Sequence, residues 1–258
     1  MVRSFLIVIH AIVAVTTLNF WVVRSSQAAW TQTPGEGLII VRLDASQLQP
    51  ERGRKRKKIE ISSYAVYGLW EGFTLGLIAR GEQIFPTRGG GPELTDVTPF
   101  FRARVAKGNN WVISTESAVS LPISNAAPHL SAPDESWALE GTLLGGIGGP
   151  VNGMHGFGVL GVGWRNRFGD GENALKLQAT AGLWPSDELM LIAQSFTTLE
   201  IGTPLTGIPP RRNITKLQAS MVYKLTEQMS VELGGRFEKA LNGNGRAQAL
   251  FLGLWTRY

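Results

Sequence analysis

The last thirteen residues, Arg246 to Tyr258, read R-A-Q-A-L-F-L-G-L-W-T-R-Y, with Leu250, Leu252 and Leu254 at every second position and an aromatic at the end. Successive side chains of an extended strand point to opposite faces, so this spacing gives one apolar face and one face left to water. The same period recurs upstream. Alternation bounded by turn residues predicts twelve strands, over 37–45, 58–68, 73–82, 95–107, 110–121, 136–146, 156–168, 173–183, 189–201, 213–225, 229–241 and 246–258. The eighth is among the clearest, with Leu175, Leu177, Ala179, Ala181 and Leu183 against Lys176, Gln178, Thr180 and Gly182. The tenth (Leu217, Ala219, Met221, Tyr223) and the eleventh (Val231, Leu233, Phe237) repeat the pattern. The first, seventh and ninth alternate poorly, which leaves a count of ten open.

The connections carry a second rhythm. Those after strands two, four, eight and ten are short and turn-rich: Leu69 to Gly72, Gly108-Asn109, Trp184 to Glu188 and Thr226 to Gln228. Those after strands one, three, five and nine are long, at 46–57, 83–94, 122–135 and 202–212. The one at 147–155 is intermediate, whereas Gly169 to Glu172 and Asn242-Gly243-Asn244-Gly245 read as short hairpins at the long-loop end. Short periplasmic turns and long external loops on an even number of strands describe an all-β, transmembrane, antiparallel up-and-down β-barrel of about twelve strands. Trp30, Trp70, Trp111, Trp137, Trp164, Trp184, Trp255 and Tyr258 fall at strand ends, where interfacial girdles belong. A soluble sandwich needs a dry core, but the inward sets carry Lys, Arg, Glu and Gln.

The N-terminus fits export. Met1-Val2-Arg3 is a positive head, Phe5 to Val23 is mostly apolar, and Ser25-Ser26-Gln27-Ala28 is a small-residue exit, so residues 1–28 read as a signal peptide and 29–258 as the barrel. An uncleaved anchor is the competing reading of that segment. No other stretch approaches the roughly 20 apolar residues of a helical span. The chain has 25 basic and 20 acidic residues, a net +5, and loss of Arg3 and Arg24 lowers this to +3. That excess is too mild to argue nucleic-acid binding.

Candidate chemistry is sparse. His129-Leu130-Ser131 has the His-x-Ser spacing of an outer-membrane phospholipase, but Pro128 and Pro133 flank it and the following Asn is missing. No enzyme is expected from it. With no Cys and only His129 and His155 after the signal, no metal centre or cofactor is expected, although loop carboxylates such as Asp134 and Glu135 leave calcium open. His155 reads as a periplasmic turn residue. Gly156 to Gly161 matches G-x-G-x-x-G but opens no helix, so it reads as glycine packing in a strand. Asn213-Ile214-Thr215 is a sequon by coincidence.

The inferred lumen face is the most suggestive feature. Arg80, Arg102, Arg104, Arg165, Arg167, Lys176, Lys216, Lys224, Arg236 and Arg257 oppose Glu60, Glu82, Glu116, Glu140, Glu232 and Glu238. Such charges either plug a small barrel as a paired network or, in surplus, favour anionic solutes. At the first long loop, Arg52, Arg54, Lys55, Arg56, Lys57 and Lys58 form a basic run. It reads as a solvated loop or as a contact for lipopolysaccharide phosphates or an acidic surface polymer.

The start Ala29-Trp30-Thr31-Gln32, the Tyr67-Gly68-Leu69 before Phe73-Thr74-Leu75-Gly76, Gln194-Ser195-Phe196, and Lys216-Leu217-Gln218 through Val222-Tyr223-Lys224-Leu225-Thr226 resemble the XagA-type family of proteobacterial outer-membrane proteins. The Asn242 to Gly245 hairpin is similar too, whereas the basic run at 52–58 departs from the family. The resemblance implies an exported barrel associated with surface polysaccharide and carries over no catalytic residue. The expectation is a narrow, charge-lined outer-membrane channel or export accessory for anionic or saccharide cargo, touching membrane lipid, lipopolysaccharide, surface polysaccharide or export machinery. A plugged barrel working through its loops is the alternative.

Overall fold

The computed structural model describes residues 29–49, 55–85, 93–123, 137–168, 173–201 and 213–258. Twelve strands follow in order: β1 (Gly37–Gln49), β2 (Arg56–Trp70), β3 (Phe73–Phe85), β4 (Glu93–Lys107), β5 (Trp111–Pro122), β6 (Ala138–Val151), β7 (Met154–Arg167), β8 (Asn173–Trp184), β9 (Leu189–Ile201), β10 (Ile214–Lys224), β11 (Met229–Ala240) and β12 (Arg246–Arg257). Each pairs antiparallel with its sequence neighbours, and β12 closes on β1 from Leu38↔Arg257 to Gln49↔Arg246. Closure leaves no strand edge whose backbone would face hydrocarbon unpaired. The fold is therefore a closed twelve-strand barrel, and the count of ten does not hold.

The outer wall explains where such a barrel is stable. Leu250 and Leu160 are 71% and 69% exposed, and Leu43, Leu75, Leu143, Leu217, Leu233 and Leu252 also lie on the outside. Burial of each such side chain is worth about 1.5–3 kcal/mol, and in this protein only lipid can supply it. Outward aromatics flank the belt. Trp70 packs on Phe73 and Phe73 on Phe101 at one end, while Trp137 stacks on Phe168 at 3.8 Å near the other. The protein is an outer-membrane β-barrel.

All the tight connections among the described residues after even-numbered strands lie at the mouth where the chain enters. The β6–β7 link is one of them, against the expected longer connection at 147–155. The strands run on to Val151 and from Met154, leaving Asn152 and Gly153 at φ 49° and 81° as a two-residue hairpin. Positive φ at both central residues is the turn whose twist matches paired strands, and Asn-Gly is its favoured sequence. His155 is accordingly a strand residue of β7, opposite Pro150 and 5.3 Å from the Trp184 ring, rather than part of the turn.

At the other mouth several strands outrun their alternation. β1 reaches Gln49, β2 starts at Arg56, β3 reaches Phe85 and β4 starts at Glu93, so the expected loops 46–57 and 83–94 are partly strand. On β1 and β2 polar residues occur there on both faces, Ser46 with Gln47 and Arg56 with Lys57, which erases the two-residue signal without breaking the backbone ladder. Residues 124–136 and 202–212 lie outside the described residues.

Candidate functional site: the barrel interior

The interior has an apolar floor and a charged upper half. Near the short-turn mouth, Leu38, Val66, Phe100 and Ala118 form one buried cluster joined by Ile40, Tyr64, Ile78 and Trp255. Met190, Ile192 and Val222 form a second with Phe157, Trp184 and Trp255. Phe157 also belongs to a third, built on Val112, Leu144, Val159, Ala29 and Trp30. Trp30, Trp184 and Trp255 thus point inward, not into the interfacial girdle expected from their positions. The expectation of a purely polar inner face also fails in this half. The floor explains why the first, seventh and ninth strands alternate poorly: Leu38 and Ile40, Phe157 and Val159, and Met190 and Ile192 place apolar groups on the inner face as well.

Residues 29–34 lie across this floor. Pro34 bridges to Gly68 on β2, the Gln32 amide donates to Thr74 Oγ1 at 2.7 Å, Arg102 Nη1 donates to the Trp30 carbonyl at 3.3 Å, and Ser114 Oγ donates to the Ala29 carbonyl at 2.6 Å. The chain passes from β2 across to β5, β6 and β7, up to five strands round the twelve-strand barrel. Gly146 marks its seat, because a Cβ there would overlap the Trp30 ring. Side chains hold most of this strap, whereas the wall is held by a continuous backbone ladder.

Above the floor, charges form linked sets. Arg42 binds both oxygens of Glu232 at 2.9 and 3.2 Å, donates to Gln218 at 3.3 Å and lies 4.3 Å from the Phe251 ring centre. Trp255 Nε1 donates to the same Glu232 at 3.0 Å. Arg236 meets Glu238 at 2.8 Å, Glu60 at 3.9 Å and Asp44 at 3.0 Å; the Asp44 contact is ionic without hydrogen-bond geometry. Lys58 joins Glu60 to Glu82 at 2.7 and 3.2 Å, and Lys216 lies 3.7 Å from Glu238. Elsewhere Arg102 clasps Glu116, Arg167 meets Glu200 at 3.4 Å, Arg80 meets Asp96 at 3.0 Å, and Glu140 accepts from Ser120, Arg165 and Lys176.

Most of the lumen residues expected from sequence therefore come together in pairs. Arg104 pairs outside this network: it sits at the short-turn mouth, 2.7 Å from Glu71, with Lys107 at 3.2 Å from the same carboxylate. Hydrogen bonds from Lys107 and Arg104 hold Glu71 below the ordinary carboxylate range. Lys224 pairs with Glu227 at 2.6 Å near the same mouth, and Arg257 ends β12 opposite Leu38. Sequence reasoning missed Arg42, Asp44, Asp96 and Glu200. Arg42 and Asp44 do alternate with Val41, Leu43 and Ala45, but the signal is readable only once the parity of β1 is fixed. Lys58 is a correction. It is no member of a surface loop but a buried cation on the inner face of β2, since the strand begins at Arg56 and the even residues from Lys58 to Gly68 point inward. Lys55, Arg56 and Lys57 are exposed, and Arg52 and Arg54 lie outside the described residues, as do His129, Ser131, Asp134 and Glu135.

The acids found by the structure nearly balance the interior cations, so a surplus of charge is not what distinguishes this lumen. Exposure is. The side chains of Arg80, Lys176 and Lys216 are 46%, 36% and 33% accessible, whereas their partners Asp96, Glu140 and Glu238 are 13%, 8% and 6%. In these three pairs the cation stands in front of the carboxylate and faces the water, whereas in Arg102–Glu116, Lys58–Glu60 and Arg167–Glu200 the carboxylate is the more exposed partner. Arg80, from β3, lies within electrostatic range of both lysines, from β8 and β10.

No sequence-family profile matches the chain, and no curated protein is significantly similar to it. Solved structures are similar in fold. The COG4313 outer membrane channel from Pseudomonas putida F1 aligns over 92% of this chain and 100% of its own, with a TM-score of 0.64 and 12% identity. The NanC porin aligns over 84% and 98%, at 0.55 and 7%, and the KdgM porin over 84% and 98%, at 0.51 and 8%. At such identities the likeness establishes the barrel architecture.

Proposed function

We propose that this barrel is a narrow outer-membrane channel for anionic solutes, with acidic saccharides as the cargo class. The observation that carries the reading is the exposure of Arg80, Lys176 and Lys216, each more accessible to water than the acid it pairs with. A unit charge about 5 Å from an anion contributes roughly 1–3 kcal/mol, depending on whether the effective dielectric is nearer water or a protein surface. Three such groups facing the water favour an anion over a cation, and the more buried acids behind them offset only part of that. That the similar barrels include an outer membrane channel and two porins agrees with this reading. The resemblance to the XagA-type family, with its link to surface polysaccharide and its exported precursor, belongs to the same proposal. Purified protein in a planar bilayer under a KCl gradient tests it: discrete currents with an anion-selective reversal potential support it, and cation selectivity contradicts it.

A second reading, a closed barrel that does not conduct, is favoured by the strap over the short-turn mouth. Conductance that is absent in the whole protein and appears when residues 29–33 are removed identifies the strap as a plug.

A further inference from the structure

The outer wall carries one charged feature that channel function leaves unused. At the long-loop mouth, Lys57 on β2, Lys239 on β11 and Arg246 on β12 point outward on neighbouring strands, with Gln47 and Gln49 of β1 between them. The registers Lys57↔Gln47, Gln49↔Arg246 and Arg246↔Lys239 make this one continuous patch, and Arg246 Nε donates to Gln49 Oε1 at 3.0 Å. Directly below it the outward positions turn apolar at Ile59, Ala45, Leu250 and Phe237. The patch therefore lies at the upper border of the lipid belt.

Two observations say what covers it. Lys239 and Arg246 are directly opposed across strands, a like-charge pairing that costs stability unless an anion joins them. In addition, no outward position of β11, β12, β1 or β2 carries an acid, and none of the three cations has a carboxylate partner among the described residues. We infer that Lys57, Lys239 and Arg246 form a binding site for the phosphate groups of a phosphorylated glycolipid in the outer leaflet. Its sugar phosphates meet the three cations through charge-assisted hydrogen bonds, and its acyl chains lie on the leucine belt beneath. Gln47, Gln49 and Gln248 border the same surface with neutral donors and acceptors.

This inference rests on the orientation of the barrel, not on the channel reading, and either can fail alone. The test titrates folded protein in neutral detergent with bisphosphorylated lipid A, read by native mass spectrometry, with dephosphorylated lipid A of the same acyl chains as the comparison. The K57Q/K239Q/R246Q protein should lose at least about tenfold in affinity for the phosphorylated form while keeping its heat-modifiable migration. Wild-type protein should show a similar loss for the dephosphorylated form, and its binding should weaken with salt. The inference is overturned if the triple variant binds as wild type does, if both lipids bind equally, or if Lys176→Gln in the lumen lowers affinity as much.

Discussion

Glu232 offers a sharp test of how the interior is held together. Its carboxylate is 1% exposed and accepts from Arg42 twice and from Trp255 once. Replacing it with Gln removes the charge that faces the Arg42 guanidinium and leaves only neutral hydrogen-bond partners, Gln218 and the new amide oxygen, beside the Phe251 face. Removing one member of a fully buried ion pair costs about 3–5 kcal/mol, mostly through the charge left behind. Arg42 is one-fifth exposed, so water recovers part of this, and the expected loss is about 2–3 kcal/mol. The assay is reversible urea unfolding in lipid vesicles followed by tryptophan fluorescence. Removing the stranded charge as well, in the Arg42→Met/Glu232→Gln double variant, should recover at least half of the loss, because the penalty belongs to the unpaired cation. A single variant within about 0.5 kcal/mol of wild type, or a double variant no better than the single, would refute the reasoning.

Three further outcomes follow from the same geometry. Trp30→Ala, which empties the seat over Gly146, should raise conductance through the short-turn mouth, measured as single-channel current; unchanged current would mean the strap does not limit flow. Deleting Trp255 to Tyr258 removes the Tyr258–Gly37 backbone bonds and the Trp255 contact with Glu232, and should leave periplasmic, protease-sensitive protein, whereas Tyr258→Phe should still give a heat-modifiable barrel. Glu71, with its lowered folded-state pKa, contributes stability that is present above the ordinary value of 4.5 and lost as pH falls through the lowered one; Lys107→Ala should move its NMR titration midpoint upward.

The sequence made the barrel legible because lipid enforces a simple rule on every strand: alternate positions outside must be apolar. That rule found β8, β10, β11 and β12 readily and their ends to within a few residues. It weakened at Leu38 and Ile40, at Phe157, and at Met190 and Ile192, where the apolar floor fills the inner face and the contrast between faces disappears. It also missed the ends of β1 and β2, where Gln47, Gln49 and Lys57 are polar on the outside as well. Where parity was clear, as for Lys176 on β8 and for Glu232, Arg236 and Glu238 on β11, the charges fall on the face opposite the leucines. What one-dimensional pattern could not supply was their pairing: Arg42 with Glu232 or Arg236 with Asp44 depends on closure of β12 onto β1, a contact across nearly the whole chain. The inward turn of Trp30, Trp184 and Trp255 depends likewise on which face their strand end presents.

The central claim is that Arg80, Lys176 and Lys216 make the water-facing lumen selective for anions. Reversal potentials in a tenfold KCl gradient, taken for wild type, for the R80Q/K176Q/K216Q variant and for the outer-wall K57Q/K239Q/R246Q variant, test it most directly. The account predicts anion selectivity in wild type, its collapse towards no preference in the lumen variant, and no change in the outer-wall variant. A lumen variant that keeps the wild-type reversal potential would contradict it.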